Sequence, residues 1–180
     1  MKSRLLQLFA TLLLLVAAGA GHAQTTIFDY GTSWKYLDNG TDQGTAWRNV
    51  GFNDASWASD TGFFGYADSW ITKYVNACGT VTANPSCTNK YITTYFRKIV
   101  NIPSTSVYDS MILSIKRDDA VVVYVNGVEV WRDANITTGA ITYTTRATSA
   151  NGGATEYTAI TKTIPMSFFT NGNNTIAVEV

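Results

Sequence analysis

The sequence predicts an all-β protein, folded as a two-sheet antiparallel sandwich. Roughly eight short runs of β-branched and aromatic residues alternate with turn signals, a pattern typical of sandwiches. The chain contains no heptad pattern, internal repeat or long amphipathic helical segment. Asn126-Gly127 lies between two valine-rich runs and is a strong hairpin signal, because both central residues of a type I′ turn need a positive φ.

The hairpin around this turn is the segment on which the predicted core depends. Its register follows from the two-residue turn and places valines on one face of the ribbon. Such a ribbon is unstable alone, so a second sheet must cover the valine face. We expect the opposite face to be mixed and half covered. The predicted cross-strand pairs are Val125 with Val128, Val123 with Val130, Tyr124 with Glu129, and Val122 with Trp131.

The first part of the chain predicts two short strands, 26–30 and 34–37, followed by a polar loop at 38–45. Trp47 and Trp57 come next, and we expect both to fill the edge of the core, because tryptophan is highly buried on average. The Gly- and aromatic-rich stretch that follows, up to Tyr74, shows no clear periodicity and is predicted to be loop.

The second half of the chain predicts strands with alternating burial. Met111, Leu113 and Ile115 occupy odd-numbered positions that one strand should bury. The last strand should bury alternate residues beginning at Ile176 and turn Glu179 to the opposite face. The remaining predicted strands are 91–100, 141–145, 156–164 and 175–180, with one helical turn at 165–169.

Residues 1–23 are predicted to be a secretory signal peptide. Lys2 and Arg4 provide the positive start, an apolar run follows, and residues 21–23 supply the small-residue cleavage site. The apolar run is shorter than a typical membrane-spanning helix, and a retained membrane anchor is the alternative. We therefore expect a secreted or extracellular protein, periplasmic or attached to the cell surface in some settings, that begins at Gln24 and lacks a membrane span.

Cleavage leaves a single domain, 24–180, whose composition excludes several functions. It removes two of the 13 basic residues, so 11 basic residues face 13 acidic ones and nothing indicates a nucleic-acid partner. It also removes His22, the single histidine, which excludes a Ser-His-Asp triad, a Cys-His pair and a His-ligated metal site. We predict that the domain is not an enzyme and uses no organic cofactor.

Cys78 and Cys87 are the only cysteines, and they close a short loop that contains Gly, Asn and Pro. In an oxidising compartment this arrangement indicates a disulfide. A reactive thiol is disfavoured, because no histidine is available to activate it. We expect the bond to staple the long irregular excursion at 62–89.

Several ordered motifs resemble those of galactose-binding-domain-like jelly rolls, and together they cover nearly the whole chain after residue 23. One departure is Ala120, where such domains often have glycine. Modules of this kind occur in secreted bacterial multidomain proteins, often beside metallophosphoesterase or other hydrolase domains. The resemblance implies a jelly-roll sandwich with an accessory role and does not identify a ligand. The motifs lie at 34–38, 42–48, 52–57, 90–98, 117–119, 123–130 and 174–180.

These observations favour a non-catalytic carbohydrate- or surface-binding module whose partner is a glycan or a cell-surface polymer. Loop aromatics can stack on sugar rings, and polar groups at the mouth of the sandwich can bind hydroxyls. The alternatives are that the rings only pack their loop and that the polar residues form a turn with an internal ion pair. The candidate ligand contacts are Tyr66, Trp70, Tyr74, Arg117, Asp118 and Asp119.

The alternative function is that of a structural N-terminal piece of a secreted, metallophosphoesterase-like hydrolase, whose catalytic domain lies beyond Val180. The chain ends inside an apolar strand, from which we expect further domains of a longer chain. Asp118 with Asp119, or Asp54 with Asp60, are imaginable carboxylate pairs for glycoside hydrolysis. Sequence neighbours on a strand point to opposite faces, however, which argues against the first pair.

The resemblance also implies a structural calcium ion. Sandwiches of this kind often hold Ca²⁺ between an early Asp/Gly/Thr loop and a late glutamate, and Ca²⁺ prefers six to eight oxygen ligands in flexible geometry. The alternative is that the aspartates cap turns and the glutamate faces water. The matching residues are Asp38, Asp42 and Thr45 in the loop, and Glu179 in the final strand.

Overall fold

The computed structural model describes residues 24–180, which form an antiparallel β-sandwich and confirm the predicted fold class. The predicted signal peptide, 1–23, lies outside these residues. No helix in the described part is long and apolar enough to cross a membrane. The strands are β1 (Trp34–Leu37), β2 (Ala58–Asp60), β3 (Phe64–Gly65), β4 (Lys73–Tyr74), β5 (Tyr95–Ile102), β6 (Ser110–Ile115), β7 (Val122–Val125), β8 (Val128–Arg132), β9 (Ile160–Pro165) and β10 (Gly172–Glu179). The helical segments are α1 (Ala154–Tyr157) and 3₁₀ turns at Ala46–Arg48, Thr105–Val107 and Met166–Phe168.

The larger sheet has six strands in the order β2-β1-β5-β10-β7-β8, and all neighbours are antiparallel. Its centre is the pair of β5 and β10, which runs from Gly172 opposite Ile102 to Glu179 opposite Tyr95. On its other edge β10 pairs with β7. The final strand is therefore a central strand, which explains why most of its side chains are buried.

The hairpin of β7 and β8 has the predicted two-residue turn, with φ of 52° at Asn126 and 88° at Gly127. Glycine is needed here for a second reason, because a Cβ at position 127 would lie 2.5 Å from Oδ1 of Asn49. The turn thus packs against the segment that precedes β2. The pairs predicted beside the turn are confirmed: Val125 with Val128, and Tyr124 with Glu129.

Beyond those pairs the predicted register is wrong. Val123 faces Trp131 and Val122 faces Arg132, because a bulge inserts Val130 as an extra residue in β8. The extra residue shifts all later side chains of β8 by one position. As a result Trp131 joins the valine face of the hairpin in the main core.

The main core lies between the six-stranded sheet and a second, antiparallel sheet of β6 and β9. Leu113 of β6 and Ile164 of β9 pack against the valines of β7, which confirms that a second sheet covers them. Met111 and Ile115 also contact this core, whereas Ile112 between them is 56% exposed. The predicted burial of odd-numbered positions in β6 is therefore confirmed.

On the opposite face of the six-stranded sheet, Val122 and Tyr124 of the hairpin are buried whereas Glu129 is exposed, which confirms the predicted half cover. Trp47 and Trp57 lie in the segment that crosses this face and pack on Tyr95, with the Trp47 and Tyr95 ring centroids 4.8 Å apart. Val122 and Tyr124 of β7 are fully buried beneath them. Both tryptophans are core residues, as predicted, and a loop segment rather than a third sheet provides the cover.

Arg97 of β5 anchors that covering segment to the sheet. Its side chain is only 2% exposed, and its Nε donates to Oδ2 of Asp54 at 2.8 Å. One of its terminal nitrogens donates to the backbone carbonyls of Trp47 and Asn49. A buried guanidinium thus satisfies one carboxylate and two carbonyls that the sheet itself does not pair.

Four predicted strands are wrong in whole or in part. Residues 26–30 and 141–145 form no strand, and the strand predicted at 91–100 begins only at Tyr95. The segment predicted at 156–164 begins as α1 and becomes extended only in β9. Ile27 and Phe28 contact the main core from an unpaired segment. Composition favours extended structure in these segments, but pairing with a neighbouring strand decides whether a strand forms.

Candidate ligand-binding cleft

A cleft of about 1340 Å³ extends from the core between the sheets to the loops around it. Apolar residues of β5, β6, β7 and β10 form its inner wall. Its rim is formed by the segments 62–68 (which contains β3), 116–120 and 145–151. The volume is sufficient for a ligand of several sugar rings.

Five of the six predicted ligand contacts line this cleft. Tyr74 does not, and its ring is 40% exposed on β4. The next residue, Val75, is buried and lines the cleft, and successive residues of an extended segment point to opposite sides. Tyr74 therefore lies outside the cleft that Tyr66 and Trp70 line, in contrast to its prediction as a ligand contact. The five lining residues are Tyr66, Trp70, Arg117, Asp118 and Asp119.

Trp70 lines the cleft and is half-buried. Its ring packs edge-on against Phe63 and Tyr157, with centroid distances of 5.5 and 5.6 Å. The ring thus also packs its own loop, as the alternative interpretation expects. Its indole Nε1 is buried without a hydrogen-bond partner among the described residues.

Tyr66 presents a half-buried ring beside Lys90, whose Nζ lies 5.2 Å from the ring centroid. Desolvation raises the pKa of the Tyr66 phenol, and the negative charges of Asp118 and Asp119 raise it further. The phenol therefore keeps its proton and can donate a hydrogen bond to a ligand oxygen.

Arg117 is held by an ion pair within the cleft wall. Its Nε donates to Oδ2 of Asp133 at 2.6 Å, and both side chains are largely buried. The other carboxylate oxygen of Asp133 accepts the backbone N–H of Asn135 at 2.8 Å. The internal ion pair that the sequence offered as an alternative is thus present, although with Asp133 as the acid.

Asp118 and Asp119 are the two acidic residues of the bend that borders the cleft. Asp119 Oδ1 accepts the backbone N–H of Asn151 at 2.7 Å. Partial desolvation, a hydrogen bond with Asp119, and the charges of Asp119, Glu156 and Asp68 raise the pKa of Asp118 to about 7. The Asp118 side chain is open to solvent, so screening reduces the energy that this shift represents.

The prediction that these two carboxyl groups face opposite sides is wrong. Residues 118–119 form a bend between β6 and β7, and side-chain alternation holds only within a strand. Carboxyl groups in hydrogen-bonding contact are too close to flank a glycosidic bond, which needs about 5 Å or more between them. The other imagined pair is divided between separate ion pairs, Asp54 with Arg97 and Asp60 with Lys73.

The loop residues of the predicted calcium site contact the protein's own donors. Asp38 Oδ2 accepts the backbone N–H of Asn76 at 2.6 Å, and Asp42 Oδ1 accepts that of Gly44 at 2.8 Å. Thr45 is exposed at the start of a 3₁₀ turn. Within residues 24–180, no group of three or more His, Cys, Asp or Glu side chains is arranged to hold a metal ion. Calcium binding stays a prediction.

Glu179 is only 5% exposed, so the alternative that it faces water is wrong. Its Oε1 accepts the Tyr124 hydroxyl at 2.5 Å and a guanidinium nitrogen of Arg48 at 3.1 Å. Burial raises the pKa of Glu179, while the Tyr124 hydrogen bond and the Arg48 charge lower it. It lies opposite Ile176 and Val178, as predicted, but on a second buried face.

The disulfide between Cys78 and Cys87 is present, which confirms the predicted pairing. The loop that it closes is tied to the cleft rim, because the backbone N–H of Ala67 donates to the carbonyl of Ala83 at 2.6 Å. The stapled loop therefore supports the backbone next to Tyr66.

The polar residues of the cleft that were not predicted from the sequence include Asp68, Lys90 and Asn151. Each lies in a loop whose local sequence indicates only a turn or a flexible segment. Asn151 follows Ala150 and precedes two glycines, which signals a loop but gives no sign that it will bind Asp119. The packing of separate loops creates this part of the site.

No protein-family model and no curated protein matches the chain. Solved structures do match its fold. A calcium-binding mutant of Bacteroides uniformis β-glucuronidase 2 has a TM-score of 0.54 at 21% identity over 87% of this chain. A β-glycosidase from Bacteroides vulgatus has a TM-score of 0.53 at 17% identity over 85% of the chain. A β-glucuronidase from glycoside hydrolase family 2 has a TM-score of 0.53 at 14% identity over 88% of the chain.

The chain spans only 14%, 17% and 14% of the lengths of these three neighbours. What is shared is the fold. The neighbours place a sandwich of this kind as a small part of larger glycosidase chains. The galactose-binding-domain-like assignment remains a resemblance that these matches do not test.

Proposed function

We propose that residues 24–180 form a non-catalytic carbohydrate-binding accessory module of a secreted glycoside hydrolase. The observation that carries this proposal is the convergence of Tyr66, Trp70 and the 117–119 bend on one cleft. Aromatic rings pack against the apolar faces of sugar rings, while carboxylate and phenol groups bind their hydroxyls. Segments about 50 residues apart in sequence contribute to the same cavity, which argues that the combination belongs to one site.

The glycosidase context is supported by the fold shared with small parts of β-glucuronidases and a β-glycosidase. In such a longer protein the catalytic groups would lie outside this module. The metallophosphoesterase alternative gains no support from these neighbours. Secretion rests on the predicted signal peptide and agrees with the disulfide, since disulfides persist mainly in oxidising compartments.

The test is glycan binding by the purified chain and two tyrosine variants. Tyr66→Ala removes a ring that lines the cleft, and Tyr74→Ala removes an exposed ring outside it. Loss of one stacked ring costs about 1 kcal/mol, so the affinity of Tyr66→Ala should fall about fivefold, while Tyr74→Ala binds normally. Trp70 is a poorer choice, because its contacts with Phe63 and Tyr157 also hold the loop.

Thermal melts of both variants establish that they are folded before binding is compared. Unchanged affinity in Tyr66→Ala, or an equal loss in Tyr74→Ala, would contradict binding in the cleft. A glycan array on which the unaltered chain binds nothing would contradict the carbohydrate-binding role itself.

A further inference from the structure

The charges around the cleft limit the sugars that it can accept. Three aspartates line the cleft together with the rings of Tyr66 and Trp70. They are Asp68, Asp118 and Asp119. Arg117, which precedes the two aspartates, is already neutralised by Asp133 at 2.6 Å. We propose that the cleft binds neutral sugars and excludes uronic acids, an inference that rests on the proposed carbohydrate-binding function.

The carboxylates of the bend have no basic partner. Within residues 24–180, no lysine or arginine forms an ion pair with Asp118 or Asp119. The charges of Asp119, Glu156 and Asp68 raise the pKa of Asp118, and the two aspartates of the bend raise the pKa of Tyr66. The field at this end of the cleft is therefore negative.

The bases that border the cleft contact other groups. Lys90 is placed against the ring of Tyr66, and Lys116 lies 5.3 Å from the ring centroid of Phe63. Arg146 is exposed on the 145–151 segment of the rim. A carboxylate on a bound sugar would thus meet like charges at the bend without a positioned base to offset them.

Neutral sugars suffer no such penalty, because carboxylates accept hydrogen bonds from hydroxyl groups. At pH 8, where Asp118 as well as Asp119 is ionised, a uronate a few ångströms from the two carboxylates is repelled, and solvent screening at the cleft mouth moderates the effect. We expect a uronic acid to bind about tenfold or more weakly than the hexose of the same configuration.

The experiment compares matched pairs of glycans that differ only in charge. The probes are cello-, manno- and galacto-oligosaccharides, each beside the form in which the C6 alcohols have been oxidised to carboxylates. Titration calorimetry on the purified chain at pH 8 should show binding to a neutral member and at least about tenfold weaker binding to its oxidised partner. The double variant Asp118→Asn with Asp119→Asn should remove most of this difference.

The amides keep the size of the side chains, and asparagine at 119 retains an oxygen for the Asn151 N–H. Asp42→Asn is the matched control, because it removes an exposed carboxylate outside the cleft and should leave the difference unchanged. An oxidised glycan that binds as tightly as its neutral partner, or a difference that survives the double variant, would overturn this inference and leave the carbohydrate-binding function standing. Failure of both members of every pair to bind would overturn both proposals.

Discussion

Replacing Asp118 with asparagine should stabilise the protein at pH 8 and leave its stability unchanged near pH 4. Partial desolvation and the Asp119 carboxyl raise the pKa of Asp118 from 3.8 to about 7 in the folded protein. Because this folded pKa lies above the unfolded one, the carboxyl's contribution to stability is complete below about pH 4 and is lost as the pH rises through 7. The asparagine amide does not ionise, so its contribution to stability does not change over this pH range.

The size of the effect follows from the shift and from the exposure of the side chain. A pKa raised from 3.8 to about 7 corresponds to about 4 kcal/mol if it is fully realised. Asp118 is open to solvent, so we reduce this to about 1–2 kcal/mol at pH 8. For a domain of this length, that gain raises the melting temperature by about 3–6 °C.

Thermal melts followed by circular dichroism at pH 4, 6 and 8 measure the difference between the variant and the unaltered chain. Asp42→Asn changes the net charge equally, away from the cleft, and should show no such pH-dependent gain. The reasoning is refuted if Asp118→Asn gains as much at pH 4 as at pH 8. A loss of stability at pH 8 would also refute it, since that requires a favourable interaction of the ionised carboxylate.

Three further predictions concern stability. Arg97→Met should lower the free energy of unfolding by about 3 kcal/mol in urea melts, because Asp54 and two backbone carbonyls lose their donor. A loss below about 1 kcal/mol would contradict the anchoring role of Arg97. Replacing both cysteines by serine should cost about 2–3 kcal/mol, and thiol titration of the unreduced, unfolded protein should find no free thiol. Calcium at about 100 times its dissociation constant should add about 2.7 kcal/mol, and Glu179→Gln with Asp38→Asn should abolish the gain. Since Glu179 must exchange Arg48 for the ion, equal melting midpoints with calcium and with chelator would show that the exchange does not occur.

The sequence by itself determined the features that depend on near neighbours along the chain. The Asn126-Gly127 turn, the alternation in β6 and the 3₁₀ turn at Met166–Phe168 follow from the φ preferences and side-chain period of a few consecutive residues. The disulfide was also predictable, because two cysteines that close a short loop in an oxidising compartment usually pair. The burial of Trp47 and Trp57 was predictable because tryptophan is highly buried on average.

Tertiary structure decided the features that depend on contacts between distant segments. The bulge at Val130 brings Trp131 into the main core, and no local pattern in β8 marks it. Part of the opposite face is buried because a loop segment crosses the sheet there, and Arg97 of β5 anchors that segment. A pattern of alternating residues shows which side chains share a face, but it does not show what packs on that face.

The residues of the candidate site were predictable from the sequence, but their arrangement was not. Tyr66, Trp70 and the 117–119 bend could be chosen from the sequence as exposed aromatics and charges in loops. Their convergence on one cleft, the separation of Tyr74 from it and the pairing of Arg117 with Asp133 required the folded chain. Loop residues take their positions from the strands that they connect, and the relative placement of those strands is set by packing rather than by any local sequence signal.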